Sequence, residues 1–155
     1  MPLLRAALSW NFVLATAICA SLLAQLIKVL LNLFIFHRFI AERMWGAGGM
    51  PSSHSATVCA MVVATGRYCG VNSPIFAIAA VLSIIVMYDA MGVRYETGEQ
   101  AKVLNRMFTE WMDQGFEQFQ LPHGKKLKEM VGHTPIEVVT GAALGIVLCF
   151  AMPMV

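Results

Sequence analysis

Residues 68–88 read YCGVNSPIFAIAAVLSIIVMY and contain no Asp, Glu, Lys or Arg. A helix needs about 20 apolar residues to cross the hydrocarbon of a bilayer, so this stretch is predicted to span a membrane. Three further stretches without those charged residues lie at 6–27, 44–66 and 138–155. The sequence therefore predicts an all-α integral membrane protein with about four transmembrane helices, which form a single membrane-embedded domain over residues 1–155.

The composition of the whole chain agrees with a membrane bundle. Apolar residues make up 58% of it and charged residues 13%, whereas soluble domains average about 45–50% and 25%. A net charge of +2 is too mild for a nucleic acid partner, whose binding face would be strongly basic. The cysteines Cys19, Cys59, Cys69 and Cys149 lie in apolar stretches without metal-site spacing, so we predict inert buried thiols.

The charged residues are concentrated between the third and fourth predicted spans. Residues 89–137 carry 14 of the 20 formal charges and must contain the main water-facing loop. Within this loop six apolar residues recur at helical spacing: Val103, Leu104, Met107, Phe108, Trp111 and Met112. This pattern predicts an amphipathic helix in the large loop, lying on the membrane surface or docked against the bundle.

The order of the spans predicts how the chain is oriented. Ser73 and Pro74 are typical of a helix start, so residues 71–73 form a short link between the second and third spans. Alternation then puts the loops at 35–52 and 93–132 on one side, together with most of the Lys and Arg residues. By the positive-inside rule that side is cytoplasmic, and the protein is predicted to be a multi-pass cell-membrane protein.

Several polar residues near this face are unexpected in a bilayer. One stripe of the first span contains Ser21, Gln25, Lys28 and Asn32. We expect Lys28 to face the bundle, although a lysine near a span end can also extend to the headgroups. At the end of the third span, Asp89 and Arg94 form either a local ion pair or a unit in which Asp89 orients the guanidinium toward phosphate oxygens.

Two histidines lie at predicted helix starts on the same face. His54 follows Ser52 and Ser53 in the first turn of the second span, where free amides favour an anion. The alternative is that Ser52 or Ser53 only caps the helix and that His54 lies at the membrane interface. His133 precedes TPIE at 134–137, which is a capping box. If the helix starts one residue earlier, the Glu137 carboxylate can hold the His133 ring in one tautomer.

Glycines continue the stripe of the last span that begins at His133. Glu137, Gly141 and Gly145 follow His133 at intervals of four residues. Glycines on one helix face let another backbone approach closely. We predict that they pack against another helix of the same chain, with self-association into a homo-oligomer as the alternative.

The segments PSSH at 51–54 and GHTPIE at 132–137 resemble the second and third signature blocks of the type 2 phosphatidic acid phosphatase superfamily, which includes the vanadium haloperoxidases. More closely, residues 48–56, 88–105 and 127–145 resemble its divergent bacterial and plant branch. The resemblance implies that His133 attacks phosphorus, that Glu137 orients it and that His54 protonates the leaving alkoxide. It implies no metal and no other cofactor.

The resemblance also implies where the phosphate oxygens bind. The hydroxyl of Ser53 and the amides around it, including Ser52, would bind them, and Lys28 resembles the lysine of the first block. The superfamily's first block pairs this lysine with Arg-Pro, whereas here Arg38-Phe39 follows ten residues later.

The third block also departs from the superfamily pattern. Its Ser-Arg is replaced by Leu127-Lys128, and its aspartate is Glu137. Because the usual arginines are missing, we expect Arg94, Lys128 or both to bind the phosphate in their place, with Asp89 and Glu129 in support.

Together these residues predict a phosphatase acting on a lipid phosphate monoester. A site at the ends of the spans can receive a headgroup while the chains stay in the bilayer, so phosphatidic acid, phosphatidylglycerophosphate and polyprenyl phosphates are all compatible. Two alternatives remain open. Asp89 to Arg94 followed by Gly98 weakly resembles a metal-dependent phospho-alcohol transferase, and the same pocket could serve a non-catalytic lipid binder, scaffold or transport subunit.

Overall fold

The computed structural model describes residues 11–36, 49–114 and 126–154, and the regular structure of these residues is entirely helical. In chain order the helices are α1 (Phe12–Phe36), α2 (Ser53–Cys69), α3 (Pro74–Met91), α4 (Val93–Asp113) and α5 (Pro135–Ala151). The all-α prediction is confirmed for the described residues. Arg38 of the sequence analysis lies outside them. Of the four cysteines predicted to be buried, Cys149 is buried and Cys19 and Cys59 are partly buried, whereas Cys69 is exposed because it ends α2, so the prediction is wrong there.

The helix starts follow the predicted caps. Ser52 caps α2 by accepting a hydrogen bond from the amide of Ser55, and Ser73 caps α3 just before Pro74. Thr134 and Glu137 form both hydrogen bonds of the capping box at the start of α5. The second charge-free stretch begins at residue 44, whereas helix α2 begins at Ser53, because its cap fixes the start there.

Helix α2 occupies the centre of the bundle and contacts α1, α3 and α5. Small residues bring these helices together, and the buried cluster between them contains Ala20, Ala24, Ala56 and Ala60. On α5, a Cβ added to Gly141 would meet the carbonyl oxygen of Ser52 at 2.3 Å, and one added to Gly145 would meet that of Ala56 at 2.2 Å. The predicted packing of the glycine stripe within the chain is therefore confirmed.

Large apolar side chains lie on the outside of the bundle. Helix α1 exposes Leu22 at 64%, α3 exposes Ile78 at 68% and α5 exposes Ile136 at 69%. Soluble proteins rarely expose large continuous apolar surfaces. Small residues inside and large apolar residues outside are typical of helices that pack together in lipid, where no hydrophobic force drives large side chains inward.

Two helical stretches are long and apolar enough to cross a membrane, namely Phe12–Phe34 and Pro74–Asp113. The second stretch comprises α3 and α4, which are separated only at Gly92. Helix α5 is apolar but has only 17 residues, and the central helix α2 also has 17. The described helices thus give two candidate spans, and the predicted count of four is not confirmed.

The amphipathic helix of the large loop is confirmed and is longer than its apolar pattern. It covers Val93–Asp113 and has Gly98, Ala101 and Asn105 as its buried residues. Its apolar residues Val103 and Leu104 remain exposed. Helix α4 therefore docks through a narrow stripe of small and polar residues, while most of its apolar face points outward.

Arg67 joins three helices at the end of the bundle away from His54. Its guanidinium donates to the carbonyl oxygens of Cys149 and, at 3.3 Å, of Met152. The same group lies 5.6 Å from the ring centroids of Phe12 and Phe150. The 17 residues of α2 separate the two ends by about 25 Å.

Candidate active site

The two predicted histidines meet at one end of the bundle. His54 is in the first turn of α2, and His133 directly precedes the cap of α5. Their ring centroids are 6.1 Å apart, with an angle of 64° between the ring planes. The main chain fixes this arrangement, because the amide of Ser52 donates to the carbonyl oxygen of Glu137 at 3.0 Å and the amide of His133 donates to that of Ala90 at 3.0 Å.

Glu137 both caps α5 and holds the His133 ring. Its Oε2 lies 3.0 Å from Nδ1 of His133 and accepts the amide hydrogen of Thr134 at 3.2 Å. From the sequence alone, capping of the helix and contact with His133 were alternative roles of Glu137 that depended on where the helix starts. The helix starts at Pro135, and one carboxylate oxygen makes both contacts.

The contact with Glu137 sets the tautomer of His133. A carboxylate oxygen accepts hydrogen bonds, so Nδ1 carries the hydrogen and Nε2 keeps its lone pair. His133 is 2% exposed, and its Nε2 is buried without a hydrogen-bond partner among the described residues. Burial lowers the pKa of His133 below its ordinary value of 6.5, against the opposing effect of Glu137. A neutral imidazole with a free lone pair is what a nucleophile requires.

The histidines share a small cavity with an ion pair. Its volume is about 20 Å³, and its lining includes His54, His133, Asp89 and Arg94. Nε of Arg94 donates to Oδ2 of Asp89 at 2.5 Å, and the two side chains are 49% and 39% exposed. Asp89 takes one of the five N–H donors of the guanidinium, and the terminal nitrogens carry the other four.

Lys28 faces the bundle, as the stripe on α1 predicts. It is 2% exposed, and its charge acts on Glu137, His54 and His133. Its methylene groups pass close to Gly49, where a Cβ would lie 3.6 Å from Cδ of Lys28. Gly49 also has a φ of +86°, in the left-handed region that favours glycine. Lys28 is thus a buried cation near both imidazoles and is not among the cavity-lining residues.

The two predicted serines are buried at the start of α2. The hydroxyl of Ser52 interacts with the amide of Ser55 at 3.3 Å and with its hydroxyl at 3.1 Å. Ser53 is 6% exposed and begins the helix. Both contribute to the helix start beside His54, and neither is among the residues that line the cavity.

The remaining predicted residues lie farther along the segment that leads to His133. Lys128 is exposed and is not brought into the cavity between the histidines. Glu129 is exposed, accepts a hydrogen bond from the side chain of Asn105 at 2.8 Å and lines a second pocket of about 120 Å³. Glu137 also lines this second pocket, which lies between α4 and the segment at 129–134.

Sequence reasoning missed three residues of this region. Ser55 stabilises the cap of α2, Ala90 accepts the amide hydrogen of His133, and Asn105 binds the segment before His133. A signal for Asn105 exists, because it follows Gly98 and Ala101 on the same helix face. Among the described residues, no three His, Cys, Asp or Glu side chains are grouped so that they could hold a metal ion.

Comparison with known proteins matches residues 9–148 to the family described as the divergent PAP2 family. The chain belongs to that family. It is also 37% identical over 148 residues to a protein of Bacillus subtilis (strain 168) named uncharacterized membrane protein YuiD. The match covers 92% of this chain and 94% of that protein. No solved structure matches the chain. Membership of the divergent PAP2 family confirms the resemblance found in the sequence.

Proposed function

We propose that this protein is a multi-pass membrane phosphatase that hydrolyses a lipid phosphate monoester. The observation that carries the proposal is the buried Nε2 of His133, which has no partner among the described residues and belongs to a residue that lines a cavity together with His54. An unpaired buried nitrogen costs about 1–3 kcal/mol. A site that retains this cost while Glu137 fixes the other ring nitrogen is suited to a ligand at Nε2.

The proposed reaction has two steps. In the first, Nε2 of His133 forms a bond to phosphorus as the bond to the alkoxide breaks, and His54 gives its proton to the alkoxide. In the second, His54 takes a proton from water, whose oxygen forms the new bond to phosphorus and displaces His133. Glu137 stabilises the positive charge on the His133 ring, which it contacts at 3.0 Å. The products are inorganic phosphate and the lipid alcohol.

Cations and helix starts would stabilise the charge on the phosphoryl oxygens. In phosphoryl transfer this charge is spread over three oxygens, so fixed donors matter more than covalent assistance. Lys28 supplies a buried charge, and Arg94 supplies its terminal nitrogens from the cavity wall. The amides of Ser52 and Ser53 would add donors at the start of α2. Lys128 would assist only from the outer edge of the site.

The site must open to receive its substrate. A cavity of about 20 Å³ holds about one water molecule, and a phosphate group is larger. Arg94 is the side chain best placed to make room, because it is 49% exposed and, within the described part of the chain, is paired with the carboxylate of Asp89. We propose that the incoming phosphate widens the cavity and draws the guanidinium onto its oxygens.

The proposed substrate is amphiphilic because the site lies at one end of an apolar bundle. In this proposal α1, α2, α3 and α5 all cross the bilayer, and the exposed apolar residues of the bundle face lipid. The excess of Lys and Arg at the His54 end makes that face cytoplasmic. Phosphatidic acid, phosphatidylglycerophosphate and polyprenyl phosphates all present a phosphomonoester at that depth.

Phosphate release from these three lipids in nanodiscs tests the proposal. We expect the wild type to release phosphate from at least one, and His133→Ala to lower the rate by about a thousandfold or more, since the nucleophile is lost. His123→Ala is the matched control, because the proposal gives His123 no role. Full activity in His133→Ala would exclude the nucleophile, and a wild type inactive on the whole panel would contradict the proposal.

A non-catalytic lipid binder is the second candidate, and the observation that favours it is the replacement of the superfamily's Ser-Arg before the histidine by Leu127-Lys128. A binder would retain lipid phosphates through Lys28 and Arg94 without turnover. Mass spectrometry of lipids that copurify with wild type and with Arg94→Lys separates the two candidates when combined with the release assay.

A further inference from the structure

Helix α4 presents three faces. Its buried face contains Gly98, Ala101 and Asn105. A second face carries ion pairs, with 2.6 Å between Lys102 and Glu99. We call the third the apolar face of α4, and it contains Val103, Leu104, Met107, Phe108, Trp111 and Met112. The buried face packs on the segment at 126–133, whereas four residues of the apolar face are exposed, namely Val103, Leu104, Met107 and Met112.

The buried face of α4 packs on the segment at 126–133, which ends at His133. The Asn105 amide group donates to the carbonyl oxygen of Leu127 at 2.9 Å and to Glu129 at 2.8 Å, and accepts from the amide of Leu127 at 2.8 Å. Asn105 is only 5% exposed. A Cβ on Gly98 would meet the carbonyl oxygen of Glu129 at 2.5 Å, so helix and segment lie in direct backbone contact.

A second close contact lies next to His133. A Cβ on Gly132 would lie 2.3 Å from the backbone of Tyr95, which belongs to the first turns of α4. The segment is therefore fixed to α4 at both ends, by Asn105 and by Gly132. Any displacement of α4 relative to the bundle moves the residue that precedes His133.

The apolar face of α4 fits the surface of a bilayer. Leu104 is 43% exposed and Met107 is 38% exposed, while Phe108 and Trp111 pack edge to face at 5.9 Å. Tryptophan and neighbouring aromatic rings are enriched at membrane interfaces, and a helix with one apolar and one charged face lies in the plane of the interface. Helix α4 follows α3 directly after Gly92, and the exposed large residues of α3 are also apolar.

We propose that α4 binds the bilayer surface through its apolar face and transmits that contact to the active site through Asn105, which makes Asn105 a positioning residue for His133. Lipid fixes the position of α4, and Asn105 fixes the segment at 126–133 on it. The consequence for turnover rests on the proposed function, whereas lipid contact and the order of the segment do not.

Lipid contact is measured first, by fluorescence. Trp10 and Trp45 are changed to Phe so that Trp111 is the single tryptophan of the chain. In nanodiscs we expect lipids brominated near the headgroup to quench Trp111. The matched control moves the tryptophan to the charged face, as Arg106→Trp with Trp111→Phe, and should be quenched much less. Equal quenching of the two proteins would overturn the proposal.

Transmission is measured by hydrogen exchange of residues 126–133 in nanodiscs. We expect Asn105→Leu to speed exchange of this segment about tenfold, because the Leu127 amide loses its acceptor. Met107→Glu should also speed exchange of residues 126–133, because a carboxylate on the apolar face weakens its contact with lipid. Arg106→Gln on the charged face should leave the exchange of this segment unchanged. Exchange at 126–133 that is unchanged in Met107→Glu would overturn the proposal.

Exchange in α2 serves as the internal reference for folding. If Met107→Glu also accelerates α2, the milder Leu104→Gln replaces it and is judged by the same criterion. When a lipid substrate is known, Asn105→Leu should lower kcat with little change in KM. If the quenching and exchange results hold while the wild type releases no phosphate, the proposed function fails and the coupling of α4 to the bilayer stands.

Discussion

The two ends of the bundle each contain a prominent arginine, and the two are held in different ways. Arg67 donates to the main-chain carbonyl oxygens at the end of α5 and lies between two aromatic rings. Arg94 has one carboxylate partner, is 49% exposed and borders the cavity of His54 and His133. Arg67 therefore stabilises the fold, whereas most donors of Arg94 have no partner among the described residues and are the ones that the proposed function assigns to phosphate. The comparison teaches that the hydrogen-bond partners of an arginine indicate whether its role is structural or ligand-binding.

After the loss of the nucleophile in His133→Ala, the largest effect should come from Glu137→Gln at the histidine end. A glutamine oxygen can accept from Nδ1 of His133 but brings no charge to stabilise the ring, so we expect kcat to fall about a hundredfold. Thr134→Ala is the control, since it removes the cap of α5 and leaves the contact between Glu137 and His133. It should lower the melting temperature and leave kcat per folded molecule unchanged. Equal kcat values in the two variants would contradict the assigned role of Glu137.

At the opposite end, Arg67→Met should act on stability alone. The carbonyl oxygens of Cys149 and Met152 lose their donor, so we expect the free energy of unfolding to fall by about 2 kcal/mol. Thermal unfolding in detergent measures this change, and phosphate release per folded molecule should stay at the wild-type value. A loss of kcat without a loss of stability would show that the two ends are not separate in function.

A smaller effect is expected from Arg94→Lys in the cavity wall. Lysine keeps the charge but loses the planar fork, so kcat/KM should fall about tenfold. Arg106→Lys is the matched control because Arg106 pairs with Glu110 on the exposed face of α4. The melting temperatures of both variants should match the wild type. If Arg106→Lys lowers kcat/KM as much as Arg94→Lys does, the assignment of phosphate binding to Arg94 is wrong.

The smallest effect concerns pH. Burial lowers the pKa of His133 below 6.5, so the neutral nucleophile persists below that pH and the acid limb of kcat/KM should lie there. Glu137 favours the protonated ring, so Glu137→Gln should move the limb to still lower pH. A pH profile of the wild type and of this variant measures both limbs. A limb above 6.5 in the wild type, or an upward shift in the variant, would contradict this assignment.

Local chemistry made much of the site predictable from the sequence. The caps at Ser52, Ser73 and Thr134 were identified because they depend on neighbouring residues, and the contact of His133 with Glu137 follows from the same short segment. The packing of the glycine stripe followed from its spacing. The pairing of Asp89 with Arg94 was one of two alternatives, and both partners border the cavity.

Hydrogen-bond partners that lie far apart in the sequence were not predictable. Asn105 binds Leu127 across 22 residues of sequence, and Arg67 reaches the end of α5 across 82. No periodic pattern records such pairs, because they depend on how whole helices are placed. Lys128 is a further example of this limit. Its position before His133 suggested a phosphate ligand, but its side chain is not among the residues that line the cavity.

The hydrogen bond from the amide of Ser52 to the carbonyl oxygen of Glu137 has a consequence for biosynthesis. His54 emerges from the ribosome about 80 residues before His133. Helix α2 alone therefore cannot form the pocket that the two residues line. The pocket between the two histidines therefore forms only when α5 packs beside α2. In the proposed phosphatase, a chain arrested before that moment would have no assembled site and could not act on the phospholipids around it.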